Sequence, residues 1–157
     1  MKRSVGKKNQ LRWICHGHQI ENVTALERAW REMTTVTGMA AGTTVFLSLL
    51  EQGAHVVSTD SMYGPTRVVL ETIFKKLGTE LMFVDTSNLS HIENAVRPST
   101  RIIYLETPAN PTMKLSDIRG AAAIAHMHGA VLAADNIFAS PFLQPPLNMR
   151  EISSCTV

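Results

Sequence analysis

Only two cysteines, Cys15 and Cys155, occur in the 157 residues, near opposite ends of the chain. A pair so placed argues against a disulfide framework. Aromatic residues are sparse at 6%, and the formal net charge is only +2. The basic residues Lys2, Arg3, Lys7 and Lys8 crowd the start, without aromatic or Gly-rich interleaving. That pattern reads as a solvated tail rather than a nucleic-acid surface. No apolar segment approaches the roughly 20 residues of a membrane span. The run 11–14 is interrupted by Arg12 and is too short for a signal-peptide core. There is no Gly-rich dinucleotide fingerprint, no P-loop, no internal repeat and no low-complexity linker. Cys15-His16-Gly17-His18 offers several metal-ligand types, yet no second ligand pair follows at zinc spacing. His126 and His128, two apart on a helix, face different ways. The expectation is a soluble, cytoplasmic chain with no metal, nucleic-acid or membrane partner.

What is present is a regular alternation. Apolar residues make up 45%, enough at this length for one core that buries roughly 68–70% of the unfolded surface. From residue 39 the pattern predicts a helix over 39–51 closed by Gly53 as a left-handed C-cap, then a strand over 55–58. An amphipathic helix over 67–77 follows, with Val68, Leu70, Ile73, Phe74 and Leu77 near helical spacing and Gly78 as its stop. A buried strand over 81–84 and a short helix over 89–96 come next. A strand over 102–105, an Ala-rich helix over 117–128 stopped by Gly129, and a strand over 131–134 complete the series. The strands carry little polar alternation, which argues for an α/β fold with a parallel sheet covered on both faces and right-handed crossovers. Residues 1–36 and 143–157 show no such pattern.

Four groups along this series carry candidate chemistry. Thr37-Gly38-Met39 precedes a helix; glycine permits close approach and free N–H groups at a helix start bind phosphate, although the same residues also make a plain helix start. Tyr63, in Ser-Met-Tyr-Gly-Pro, could stack on a planar ring or simply pack its own loop. Asn110 lies between Pro108 and Pro111, which restrict the backbone; it fits a held amide and also a turn-former. Asp135 follows four apolar residues at a strand end, as a ligand carboxylate or a helix cap. In a parallel sheet all four lie on the side where ligands bind. Together they suit a phosphorylated pyridine.

The chain resembles the pyridoxal-phosphate (PLP) enzymes of cysteine and methionine metabolism: cystathionine γ-synthase, cystathionine γ-lyase, methionine γ-lyase and their sulfhydrylase relatives. The residues that carry the resemblance are Thr37-Gly38-Met39-Ala40, Tyr63-Gly64, Glu106-Thr-Pro-Ala-Asn-Pro-Thr112 and Asp135-Asn136-Ile137-Phe138. It implies part of the large domain of an aspartate-aminotransferase-type transferase fold. Residues 37–147 are then a partial PLP-binding domain, 1–36 a degraded N-terminal arm and 148–157 an aberrant tail. It implies PLP as cofactor, with Gly38 and Met39 N–H groups on its phosphate and Tyr63 stacked on the ring. The Tyr63 hydroxyl would assist proton transfer or leaving-group departure. Asn110 would contact the ring hydroxyl, and Asp135 would keep the pyridine nitrogen protonated, its own pKa lowered by that cation. The implied activity is trans-sulfuration: β/γ-elimination or γ-replacement on cystathionine, methionine or homoserine esters. The implied partners are a small amino-acid substrate and copies of the chain, in a homo-oligomer of the tetramer-of-dimers type.

Departures accompany the resemblance. The family's Schiff-base lysine stands in Ser-x-Thr-Lys, about two dozen residues beyond the aspartate, and serves as cofactor anchor and base. Here no lysine follows Lys114, and Ser154-Cys155-Thr156-Val157 sets valine at the matching place. Loss of such a base alone removes about 10²–10⁴ in rate. Gly17-His18-Gln19 replaces the Tyr-x-Arg that meets a neighbour's phosphate; Val23 replaces a proline and Ile137 a threonine. The expectation is a truncated or frameshifted piece, inactive by itself. Its alternative is a non-catalytic remnant that binds PLP weakly or pairs with a full-length homologue.

Overall fold

The computed structural model describes residues 11–14, 31–139, 143 and 154–156. The basic cluster at 2–8, Cys15, His16, His18, Val23 and Val157 lie outside these. Helix starts follow the polar residues that precede them. α1 (Gly38–Leu49) begins where the Thr37 hydroxyl accepts the Ala40 N–H at 3.1 Å. α2 (Gly64–Val69) carries Pro65 in its first turn, where the missing N–H has no intrahelical bond to make. α3 (Leu89–Ala95) starts with the Asn88 amide oxygen accepting the Ser90 N–H at 3.0 Å. α4 (Ile118–Met127) starts with Asp117 accepting the Gly120 N–H at 3.0 Å. The three side-chain caps each satisfy a donor that the helical ladder leaves over.

Two helix details differ from the sequence pattern. α1 ends at Leu50 in extended conformation, and Gly53 (φ +83°) instead makes the turn into the next strand. There its N–H donates to the Gly78 carbonyl at 2.9 Å. α2 runs on into a π-helical turn, Leu70–Phe74, whose wide bonds join Lys75 N–H to Leu70 O and Thr79 N–H to Phe74 O, both 3.0 Å. The Thr72 hydroxyl donates to the Val68 carbonyl at 2.6 Å, occupying the acceptor its own N–H would use. Residues four apart therefore stack against the sheet: Thr66, Leu70 and Phe74 are buried. Val68, Ile73 and Leu77, expected on the same face, are exposed.

The strands are β1 (Leu11–Ile14), β2 (Arg31–Thr34), β3 (His55–Thr59), β4 (Glu80–Val84), β5 (Thr100–Glu106), β6 (Val131–Asp135) and β7 (Ser154–Thr156). They form one seven-stranded sheet in the order β2-β1-β7-β6-β5-β3-β4, with every neighbouring pair parallel. The α/β class with a parallel sheet is thus as expected. β1, β2 and β7 come from stretches too short and irregular to show a period. β4 is an edge strand, so its residues 81–84 are half-buried rather than fully buried.

Successive strand residues point to opposite faces, and the two faces have separate cores. On one, Val57, Ile103, Leu105 and Leu132 pack with Ile92 of α3 and with Ile118, Ala121 and Ala125 of α4. On the other, Val56, Ile102, Tyr104 and Ala133 pack with Ala41, Val45 and Phe46 of α1 and with Leu70 and Phe74. The second core is aromatic: the Phe46 ring lies 5.5 Å from Phe74, edge to face, and 5.1 Å from Tyr104. The same alternation carries Glu106, two residues after Tyr104, and Asp135, two after Ala133, onto this face.

Candidate functional site

The C-terminal ends of β5 and β6, the loop after β3 and the start of α1 enclose a cavity of about 580 Å³. All five residues singled out from sequence, Gly38, Met39, Tyr63, Asn110 and Asp135, line it. The strand register explains the meeting: Glu106 pairs with Asp135, so both carboxyls reach the same rim.

At the α1 end, Thr37 uses its hydroxyl and carbonyl on the N–H groups of Ala40 and Ala41. The N–H groups of Gly38 and Met39 remain over from the ladder. A Cβ added at Gly38 or at Gly42, one turn on, would meet nothing within 4 Å. At Gly42, buried and in the cavity lining, that space is the cavity itself.

Asp135 Oδ2 accepts from the Tyr104 hydroxyl and Oδ1 from the Ile137 N–H, each at 3.2 Å. Its pKa is raised, chiefly by burial, with the two hydrogen bonds acting against it. The lowered pKa that the resemblance implied is that of Asp135 beside a bound cation. The lowering needs a cation beside the carboxylate, and in the protein alone desolvation dominates.

Glu106 is 1% exposed. Its Oε2 accepts the Tyr63 N–H at 2.7 Å and its Oε1 the Asn110 N–H at 3.1 Å. Burial pushes its pKa up to about 7; the Asp135 charge adds to this, while the two N–H donors pull it down. Sequence reasoning gave Glu106 no role, although its two-residue offset from Tyr104 placed it on the cavity face. Tyr104 and Asn136 were likewise missed; the Asn136 amide donates to the Thr107 carbonyl at 2.6 Å.

The loop that presents Asn110 has its own scaffold. Ala109 N–H donates to Lys114 O at 2.9 Å, Met113 N–H to Ala109 O at 2.7 Å, and Ser116 N–H to the Thr107 hydroxyl at 3.1 Å. The hydroxyls of Ser61 and Thr112, 2.8 Å apart, join it to the Tyr63 loop. Lys114 reaches away to Asp85 at 2.7 Å, and this partner holds the Asp85 carboxyl down at about 2. None of the described lining residues is lysine or arginine; Glu106 and Asp135 supply the charge.

An acidic floor, a half-exposed tyrosine ring and the first N–H groups of a helix thus meet at the C-terminal edge of a parallel α/β sheet, the edge at which such folds bind ligands. The sequence matches the model of the Cys/Met metabolism PLP-dependent enzyme family over residues 17–152. The chain belongs to that family. It is 43% identical over 127 residues to the cystathionine gamma-lyase of Bacillus subtilis, covering 81% of this chain and 33% of that protein. It is 38% identical over 132 residues to the L-methionine gamma-lyase of Fusobacterium nucleatum subsp. polymorphum, covering 83% and 33%. The crystal structure of metB from Corynebacterium glutamicum superposes with a TM-score of 0.79 at 37% identity, over 82% of this chain and 34% of that one. The chain therefore spans about a third of the length of the curated relatives it matches, and its fold is part of the large domain of such PLP enzymes.

Proposed function

We propose that this chain forms the PLP-holding floor of an enzyme acting on sulfur amino acids, and that alone it binds the cofactor without turnover. The observation that carries the reading is Asp135. It is a carboxylate at the cavity floor, raised by burial, with Tyr104 and Ile137 as donors and no cation facing it among the described lining residues. A protonated pyridine nitrogen supplies that cation. When bound, the cofactor offers an electron sink for charge developing at an amino acid's α-carbon. In this reading the Gly38 and Met39 N–H groups hold the phosphate, the Tyr63 ring covers the pyridine and Asn110 meets the ring hydroxyl. The Tyr63 hydroxyl moves a proton for the leaving group. The reaction, elimination or replacement at the β or γ carbon of cystathionine, methionine or a homoserine ester, belongs to a longer, homo-oligomeric assembly. Support for the inactivity of the chain alone is compositional: no lysine follows Lys114, and none lines the cavity among the described residues.

Titrating PLP into the full chain, followed by absorbance and by mass after borohydride reduction, tests this. The expected result is saturable, reversible binding with no reduced adduct at a cavity residue, and no release of α-keto acid from cystathionine or methionine. Asp135→Asn is expected to weaken binding roughly a hundredfold, because it removes one partner of a buried charge pair. Equal binding by both proteins, or turnover by the chain alone, overturns the reading.

A further inference from the structure

Tyr63 and Asn110 approach the cavity from two loops far apart in sequence, one after β3 and one after β5. Between them lies one side chain that touches both. Each oxygen of Glu106 accepts a backbone N–H, from Tyr63 at 2.7 Å and from Asn110 at 3.1 Å. We propose that Glu106 is a positioning residue whose carboxylate fastens the two loops together and so sets the width of the slot that receives the ligand ring.

A buried carboxylate is costly unless its lone pairs are used, and here both oxygens are spent on loop amides rather than on the protein interior. The geometry requires an acceptor at each end. Glutamine at this position keeps one acceptor and turns an NH₂ group toward the other N–H donor, so one loop is released. A second direct tie between the loops, the Ser61–Thr112 hydroxyl pair at 2.8 Å, is exposed and weaker. The ionisable groups around Glu106 are Asp135 from β6, Tyr104 from its own strand and Tyr63 from the loop after β3. α1 brings none. Protonation of Glu106 removes the same acceptor that glutamine removes.

The ligand part of this inference rests on the cavity being a PLP site; the clamp itself does not. Two measurements on the full chain separate them. In a ¹⁵N-labelled sample taken from about pH 5 to about pH 9, the amide protons of Tyr63 and Asn110 are expected to titrate together with one midpoint, and Glu106→Gln is expected to abolish that titration. Glu106→Gln is also expected to lower PLP affinity about tenfold while leaving inorganic phosphate, which lacks a ring, within about twofold of wild type. Separate or absent titration of the two amides overturns the clamp. An unchanged PLP affinity in Glu106→Gln overturns its role in the slot. If the amides titrate together but wild type takes no PLP, the cofactor reading fails and the clamp stands. Should Glu106→Gln not fold, the wild-type titration decides the clamp. The ratio of PLP to phosphate affinity above and below the midpoint then decides its role in the slot: a fall on the acid side supports it, and a constant ratio overturns it.

Discussion

The two faces of the sheet are built from the same strands, yet one is closed and the other is open. Under α3 and α4 the packing is aliphatic throughout, isoleucine, leucine and alanine filling the space between helix and strand. Under α1 the core is aromatic and continues without a break into the cavity, because Ala41, Phe46 and Tyr104 belong to both. Tyr104 shows the transition: its ring packs on Phe46 and its hydroxyl donates to Asp135. A face closed with branched aliphatics gains stability alone. One closed with an aromatic residue carrying a polar tip can end in chemistry.

Core truncations test this contrast most severely. Phe46→Ala is expected to cost about 3–5 kcal/mol and Ile103→Ala about 2–5 kcal/mol. Only Phe46→Ala should also disturb PLP binding by the folded fraction. Denaturant titration with and without PLP measures both, and equal ligand effects from the two variants would erase the distinction between the faces.

The faces should also respond to pH with opposite sign. Glu106 is raised by burial, so the fold favours its protonated form; its stabilising contribution is complete below the unfolded value near 4.5 and is lost as pH climbs toward about 7. That amounts to about 3 kcal/mol at most, and Asp135, also raised, acts in the same direction. His55 sits on the other face, two residues before Val57. Its Nδ1 lies 2.8 Å from the Thr100 hydroxyl, and its Nε2 has no partner among the described residues. Burial, then the Arg97 charge, lowers its pKa, so its contribution is complete above 6.5 and is lost as pH falls below that value. The two contributions overlap between about pH 4.5 and 6.5 and oppose each other there. Glu106→Gln should remove the loss between about pH 4.5 and 7, so that melting temperature rises more steeply with pH across that range than in wild type.

The smallest stability effect is expected at Gly42. Replacing it with leucine sends the side chain into open cavity space and raises helix propensity, changing stability by about 1 kcal/mol or less in the stabilising direction. PLP affinity should nevertheless fall at least tenfold, a loss of more than about 1.4 kcal/mol in binding. Calorimetry on the variant settles it; undiminished binding would place the ligand elsewhere.

Much of this was legible in residues. The stops Gly78 and Gly129, the helical spacing and the apolar strands are local signals, and each element they predicted is present. The site residues were legible because parallel topology sends every strand end to one side. What escaped was relational. Glu106 acquires its meaning from two amides on separate loops, and β1, β2 and β7 are strands only because neighbours exist to pair with them. The π turn after α2, with the Thr72 hydroxyl on the Val68 carbonyl, leaves Ile73 and Leu77 exposed, where helical spacing had placed them on the buried face.

The strand order carries a kinetic consequence. β3 lies between β4 and β5, and its closing contact, His55 with Thr100, joins residues 45 apart in the chain. No adjacent pair in this sheet is a hairpin, so every ladder waits on a long loop closure. During synthesis the β3–β4 pair emerges with one side of β3 bare until β5 arrives. In that interval its unsatisfied backbone invites pairing with another nascent chain. The order of the strands thus makes chain concentration, as much as temperature, the variable that governs recovery of folded protein.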